Sequence, residues 1–494
     1  MEFNAPSVNL AAILPVFIIA SWGIGLMVLD MLIKHDRKQW TAWFSIVGLL
    51  LAGAQTIGMW GYTGGTFTPA GGYPMVLADG YVHFLNLLFI ATGILGILIS
   101  LSYLGKTEIV ERAEYYMLIL FSISGMMLMG AANDLMLIFI ALELLSIPLY
   151  ILSAMARPNA ESEEAGMKYF LLGAFSSGFL VFGLALLYGA TGSTALPVVA
   201  QNFSASDPIA LAGLAMSLVG LGFKVGVVPF HMWTPDVYEG APTAVTAFMS
   251  VGAKIGGFAA LLRIFLGNLP PEAAEIWVPA VAFIAAITMV LGNVVALAQS
   301  NIKRILAYSS IAHGGYILMA VAAGPASGQG VSAALYYMLA YLFTNMGAFA
   351  IIIMVERPGN QGVQIDDYKG LAKNNLGYAL LLTYFLLSLT GMPLTGGFLG
   401  KFFVFKAAID AGLIWLAVIG ALTSVVSAYY YLRVVFYMFM YEGHEGVLES
   451  RAPLAWTVGI ATAATIVLGL FPAPWLEFAS QTLTQTLPAL VAGG

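Results

Sequence analysis

The sequence predicts an all-α polytopic membrane protein of about fourteen transmembrane helices, and three observations carry that expectation. Of 494 residues, 60% are hydrophobic and 9% are Asp, Glu, Lys or Arg, and the mean hydropathy is +0.90. A soluble domain carries roughly 25% charged residues, so a soluble enzyme is excluded. The apolar stretches are long and continuous, without the period-two alternation of barrel strands. Chain length leaves room for about 14 helices of roughly 20 residues with short loops.

Taken in order, span one at 9–33 contains Leu10 to Leu32 and is long enough to cross. The Met1-Glu2-Phe3-Asn4 ahead of it lacks the basic region of a cleavable signal. Apolar runs closed by polar or Gly/Pro loops follow at 41–61, 81–104, 115–132, 134–156 and 165–188. Span seven, 208–232, is interrupted inside Gly222-Phe223-Lys224-Val225-Gly226-Val227-Val228-Pro229-Phe230-His231. Spans eight to eleven lie at 242–267, 276–299, 302–322 and 331–355. Span twelve, 376–406, is interrupted inside Thr390-Gly391-Met392-Pro393-Leu394-Thr395-Gly396-Gly397-Phe398-Leu399-Gly400-Lys401, and spans thirteen and fourteen lie at 411–437 and 455–476. The longest loops, 62–80, 189–207 and 356–375, are too short to fold alone, so 1–494 is a single transmembrane domain. Spans seven and twelve are an odd number of helices apart, which gives equivalent units opposite topology. Paired broken helices of this kind point to inverted repeats: five helices over about 115–267 and five over about 276–437, with spans one to three and fourteen peripheral.

Composition removes other functions. The chain has no cysteine, hence no disulfide, thiolate zinc site or Cys-ligated iron–sulfur cluster. A net charge of −6 over this length gives no nucleic-acid footprint, and five scattered histidines are too few for paired haem ligation. No Gly-rich nucleotide loop occurs in a strand–helix context, and Gly256-Gly257 inside an apolar helix reads as close helix packing. Energy for transport must come from an ion gradient or a partner. Loops after odd-numbered spans hold Lys34, Arg37, Lys38, Lys106, Arg112, Arg157, Lys303, Arg304, Arg357, Lys369, Lys373 and Arg451, whereas the other loops and both termini hold none. Short cytoplasmic loops retain Lys and Arg, so both termini are expected on the non-cytoplasmic side.

The informative residues are ionisable groups inside spans, where a charge costs about 2.5 to 3.5 kcal/mol at the bilayer centre. Glu143 sits mid-span between Leu142 and Leu144; Lys224 precedes the first break, Lys254 is mid-span eight, and Lys401 follows the second break. A structural Glu143–Lys224 ion pair is one reading, but one acid cannot neutralise three lysines. Taking an ammonium out of water favours its neutral amine, so buried lysines biased by one carboxylate can act as proton carriers. His313, in Ser309-Ser310-Ile311-Ala312-His313-Gly314-Gly315-Tyr316, is placed between Lys254 and Lys401. It reads equally as a relay or as a hydrogen-bonded histidine packed on its glycines. His231, after Pro229, reads foremost as an interfacial cap and secondarily as a relay.

Other charges have plainer explanations. Asp30 and Lys34 suit snorkelling or an i,i+4 pair, and Glu164 and Lys168 suit an i,i+4 pair, for which proton uptake is the alternative role. Arg263 and Arg433 lie near span ends and are expected to snorkel. The 23 tyrosines and 9 tryptophans read as interfacial belt and packing, and Tyr429-Tyr430-Tyr431 gives no cofactor signal.

The run Leu221-Gly222-Phe223-Lys224 through Val228-Pro229-Phe230-His231-Met232-Trp233-Thr234-Pro235-Asp236-Val237-Tyr238-Glu239-Gly240-Ala241-Pro242-Thr243 resembles the signature of the antiporter-like subunits of respiratory complex I. Glu143 in its Leu/Ser/Pro setting and Asn301-Ile302-Lys303-Arg304-Ile305-Leu306-Ala307-Tyr308-Ser309-Ser310 resemble it too. The same motifs occur in multisubunit sodium/proton antiporters and membrane-bound hydrogenases. Two features make the chain similar to the N-type subunit. Lys401 stands where the M-type has a glutamate, and the chain stops after span fourteen, without the L-type's lateral helix. The resemblance implies a proton-translocating subunit of an NADH:quinone oxidoreductase in a bacterial inner membrane, surrounded by lipid, with M-type and L-type homologues and a peripheral redox arm as partners. FMN, iron–sulfur clusters and quinone would then belong to the complex, none to this chain. It also implies roles: Glu143 and Lys224 as the modulating ion pair, Lys254 as central relay, Lys401 as terminal donor, with His313, His231 and Lys168 as further candidates.

Overall fold

The structure is a computed structural model that describes residues 5–34, 37–104, 113–357, 362–443, 448 and 450–486. In chain order, α1 (Leu10–Leu32), α2 (Trp40–Gly58), α3 (Gly80–Leu104), α4 (Ala113–Ala131), α5 (Leu135–Ser153) and α6 (Ala160–Thr191) follow the predicted spans. A short α7 (Leu196–Asn202) leads into α8 (Pro208–Val225), α9 (Trp233–Gly240), α10 (Thr243–Phe265), α11 (Pro271–Leu297), α12 (Ile302–Ser327) and α13 (Gly330–Val355). The chain continues through α14 (Leu371–Asn374), α15 (Leu376–Thr390), α16 (Gly396–Asp410), α17 (Ile414–Met440), α18 (Ala452–Leu470) and α19 (Pro472–Thr486).

Local chemistry sets the helix ends. Asp134 caps α5 by accepting from Met136 N at 2.9 Å, Asp207 caps α8 at Ile209 N at 2.9 Å, and Asn301 caps α12 at Lys303 N at 2.9 Å. Such caps each contribute about 1 kcal/mol. At the far end of α8, Gly226 turns left-handed at φ +70° and stops the helix.

Thirteen described helices are long and apolar enough to cross a membrane, so the chain is an integral membrane protein. The twelfth predicted span is two helices, with the gap between them inside the Thr390–Lys401 run. It is the pair α15 and α16, 15 residues each, about 22 Å at 1.5 Å per residue, so the two halves share one crossing. Span seven ends its helix at Val225 rather than at 232, because Gly226 breaks it. Span fourteen ends at Leu470, and the chain does not stop there: Pro472 starts α19, which stacks Phe478 on Trp60 with ring centroids 4.1 Å apart. The loop at 62–80 carries an antiparallel hairpin, β1 (Gly64–Thr66) with β2 (Val76–Ala78), Gly64 opposite Ala78.

The apolar window of α10 is 100% buried, and those of α12 and α13 are 94% buried, so these three form the axis of the bundle. Gly256 and Gly257 pack as expected. A Cβ at Gly257 would meet Val225 Cγ1 at 2.7 Å and Lys224 Cγ at 3.3 Å. The glycine therefore lets the end of α8 lie directly on α10.

Three charge expectations are corrected. Arg263 does not snorkel: it is 4% exposed, pairs with Asp79 Oδ2 at 2.9 Å and donates to the Gly130 carbonyl at 2.9 Å. A partner 184 residues away in sequence keeps it inside. Asp30 pairs with Lys38 at 2.7 Å instead of Lys34. Arg433 is half-buried because it caps carbonyls, Leu297 O at 3.0 Å and Gln299 O. The predicted Glu164–Lys168 pair forms at 2.8 Å. Lys106, Arg112 and Met1 to Asn4 lie outside the described residues.

Candidate functional site

Three lysines face the interior on three elements. Lys224 at the end of α8 is 3% exposed, and Lys254 in α10 and Lys401 in α16 are 4% exposed. None of them forms an ion pair among the described residues. Each ammonium is held by hydroxyls, carbonyls and aromatic faces, which satisfy its protons without adding charge.

Lys224 donates to Ser146 Oγ at 2.8 Å and to the Tyr169 hydroxyl at 3.3 Å. Trp233, from the far side of the break, stacks on Tyr169 at 4.4 Å and donates to the Phe223 carbonyl at 2.8 Å, so the interruption is braced. Glu143 is half-buried one turn before Ser146 on α5 and accepts from Ser177 Oγ at 2.5 Å. Among the described residues no ion pair joins Glu143 to Lys224. Ser177 of α6 holds the carboxylate while Ser146 and Tyr169 hold the ammonium, and the pair stands apart. Ser146, Ser177 and Lys224 line one cavity of about 10 Å³, room for about one water.

Lys254 lies one helical turn from Gly257, on which the Lys224 stem rests. Its ammonium donates to the Ser310 carbonyl, and the Tyr341 ring centroid is 5.9 Å away. Tyr341 in turn donates to Ser310 Oγ at 3.0 Å. His313, one turn further along α12, has its Nδ1 2.5 Å from the Tyr337 hydroxyl and its Nε2 3.4 Å from the Tyr431 hydroxyl. A neutral imidazole donates from one nitrogen and accepts at the other, so these tyrosines fit either tautomer. Tyr431 also bonds Ser309 Oγ.

Lys401 reaches back across the second break. It donates to the Thr390 carbonyl at 2.8 Å and to Ser424 Oγ at 3.0 Å, and stands 4.7 Å from the Tyr316 ring centroid. Thr390 ends α15, so the ammonium caps a helix C-terminus, where a cation is stabilised. Gly391 makes this possible twice: its φ is +95°, and a Cβ there would meet Lys401 Cδ at 2.9 Å.

His231 and Lys168 are placed elsewhere. His231 is half-buried in the first break, its carbonyl accepting from Thr234 N at 2.9 Å. No hydrogen bond among the described residues links it to the lysines. Lys168 bonds Glu164 at 2.8 Å and Asp236 at 2.7 Å. Arg304 extends this ladder to Asp236 at 2.9 Å and Glu239 at 2.6 Å. The ladder lines an open cavity of about 270 Å³ with Glu161. Burial alone pushes the Asp236 carboxyl up, but hydrogen bonds from Lys168 and Arg304 outweigh it and hold it below the usual carboxylate range.

Ser146, Tyr169, Ser177, Tyr316, Tyr337, Ser424 and Tyr431 are the residues that sequence reasoning passed over. One signal was available: Ser309, His313 and Tyr316 fall at i, i+4 and i+7, and Tyr337 and Tyr341 at i and i+4, so each set shares a helix face. Among the described residues, no three His, Asp or Glu side chains gather as a metal-holding group.

The NADH:quinone oxidoreductase/Mrp antiporter transmembrane family model matches residues 132–427, which include Glu143, Lys224, Lys254 and Lys401. The chain is 44% identical to NADH-quinone oxidoreductase subunit N of Trichlorobacter lovleyi over 97% of each chain. It is also 44% identical to that subunit of Chloroflexus aggregans, covering 98% of this chain and 99% of the relative. It is similar to a chain of respiratory complex I from Thermus thermophilus with bound aureothin. That match has 34% identity and a TM-score of 0.80, and covers 97% of this chain and 100% of that one.

Proposed function

The chain belongs to the family of antiporter-like membrane subunits of NADH:quinone oxidoreductase, and on that footing we propose that its buried lysines carry the translocated protons. It is a proton-translocating subunit of that enzyme, and it works beside other membrane subunits and a redox arm that holds FMN, iron–sulfur clusters and quinone. The 44% identity to N subunits over 97% of the chain favours this role over a sodium/proton antiporter subunit. The observation that carries the residue-level reading is the burial of Lys224, Lys254 and Lys401 without an ion pair among the described residues. Three permanent cations so placed would each cost about 2.5 to 3.5 kcal/mol, whereas amines that load and unload hold that charge only in transit.

The order follows the contacts. Lys224 takes a proton from the basic end, where Lys168, Asp236 and Arg304 surround the open cavity. Lys254 lies next to it across Gly257, His313 with its tyrosines comes next, and Lys401 is last. Glu143 supplies the control. When Ser177 lets the carboxylate swing to Lys224, the ammonium is stabilised and a proton is captured. When the pair parts, Lys224 gives its proton to Lys254. Electron transfer in the partner subunits drives that exchange.

Two wider readings belong with it. Spans four to eight and nine to thirteen act as inverted repeats, each with its fourth crossing interrupted beside a lysine. The basic ends of the helices face the cytoplasm of a bacterial cell, with both termini across the inner membrane, as the loop charges favour. Glu143→Gln in the assembled complex tests the control. NADH oxidation should continue while protons moved per electron fall. Full pumping in that variant would remove Glu143 from the mechanism.

A further inference from the structure

Between His313 and Lys401 lies a chain of hydrogen bonds and one tyrosine ring contact that contains one residue unable to relay a proton. From Lys401 the chain runs to Ser424 Oγ at 3.0 Å and on to the Tyr316 hydroxyl at 3.2 Å. Asn293 Nδ2 donates to that hydroxyl at 3.5 Å, the longest link, and the Tyr430 hydroxyl donates to Asn293 Oδ1 at 3.0 Å. The Tyr430 ring packs on the Tyr431 ring with centroids 4.4 Å apart, and Tyr431 reaches His313 Nε2 at 3.4 Å.

Every other member can accept at one atom and donate from it or its partner atom. A hydroxyl, an imidazole and an amine all do so. The carboxamide has an acceptor-only oxygen and a donor-only NH₂, and passing a proton through it would require an imidic acid. Its orientation is settled by the Met289 carbonyl, an acceptor, which lies 2.7 Å from Nδ2. Asn293 is fully buried in α11, between a Tyr316 and a Tyr430 that are each 1% exposed.

We propose that Asn293 is a proton insulator: it holds the tyrosine scaffold together across the gap between His313 and Lys401 while blocking transfer through it. Transfer between the two sites then waits for water. The cavity of about 10 Å³ beside His313, lined by Tyr337, Tyr341, Thr344 and Ser388, has room for about one molecule. The insulator prevents protons from returning from Lys401 to His313 when no electron transfer drives the cycle. This rests on the reading of Lys401 as the terminal carrier.

The test uses the assembled complex in sealed vesicles, with three readouts: NADH:quinone oxidation, protons moved per electron, and passive proton uptake under an imposed potassium diffusion potential without NADH. Asn293→Asp completes the relay, so oxidation should persist, protons per electron should fall and passive uptake should rise. Asn293→Ser carries the same expectation and serves if the aspartate impairs assembly. Asn293→Leu cannot relay, so its vesicles should stay proton-tight. Equal losses in the Leu and Asp variants would mark Asn293 as merely structural and overturn the proposal, as would full coupling in the Asp and Ser variants. In Asn293→Asp combined with Lys401→Ala, passive uptake should return to the parent level. Uptake that persists in the double variant would sink Lys401 as the end of the chain while leaving the insulating role of Asn293 intact.

Discussion

The two helix breaks use one backbone device in two electrostatic settings. At the first, α8 stops at Gly226, and Lys224 shares a small cavity with Ser177, which holds the Glu143 carboxylate, with the Lys168–Asp236–Arg304 ladder nearby. At the second, α15 stops at Gly391, and Lys401 is held by a helix-end carbonyl, a serine and a tyrosine face, all uncharged. A charged neighbour that can approach or withdraw makes an adjustable affinity, whereas fixed dipoles make a constant one. The first break is thereby suited to capturing and releasing protons under control, and the second to passing them on.

The sharpest way to break this comparison is to fill the glycine of each break. Gly391→Ala should be the more damaging, because its methyl meets the Lys401 stem as well as an unfavourable φ of +95°. Left-handed backbone at a non-glycine residue alone costs about 1–2 kcal/mol, and displacement of Lys401 should add a loss of pumping. At Gly226 the φ is +70° and the nearest contact is Thr234 Oγ1 at 2.9 Å, so an alanine should lower thermal stability more than it lowers pumping. Protons per electron measured beside melting temperature separates the two outcomes, and equal effects would erase the distinction between the breaks.

Next in size are the serines. Ser177→Ala removes the only hydrogen bond recorded for Glu143 among the described residues; releasing a charged group from such a bond is worth roughly 1.5–3 kcal/mol. The freed carboxylate should move to Lys224 and slow proton release, lowering turnover. Ser424→Ala leaves Lys401 on the Thr390 carbonyl and should have a smaller effect. A turnover ranking in the reverse order would contradict the assignment of control to the first break.

The smallest effect expected is at the ladder. Asp236 titrates below the ordinary carboxylate range in the folded chain, so its bonds are fully present above the unfolded value of about 3.9 and are lost only as pH falls through the lowered value. Pumping by Asp236→Asn should then keep the parent pH profile between neutral and mildly acidic conditions. The half-exposed pairs it gives up are worth about 0–1 kcal/mol. A profile shifted near neutrality would show that the ladder itself gates uptake.

Much of this was legible in the sequence, for identifiable reasons. The spans were, because a lipid-facing helix must be apolar over its whole length. The breaks were, because Gly226 with Pro229 and Gly391 with Pro393 put a helix-weakening glycine three or two residues before a proline that lacks the N–H a helix needs. Glu143 and the three lysines stood out because nothing apolar explains them. Which partner each one takes was not legible. Ser177 rather than Lys224 binds Glu143, and Asp79 binds Arg263, because partner choice depends on how each helix is rotated about its axis. The tyrosines around His313 read as packing in the sequence, because aromatic residues in apolar spans usually are. Their hydroxyls matter only once α12, α13 and α17 are brought together.

The central claim is that the buried lysines carry the protons, and Lys254 tests it most directly, since it lies between the two breaks and has no ion-pair partner among the described residues. The measurement is protons moved per electron by the assembled complex carrying Lys254→Met in sealed vesicles. The lysine row predicts a ratio below the parent with the complex intact, whereas an unchanged ratio would show that the protons travel elsewhere.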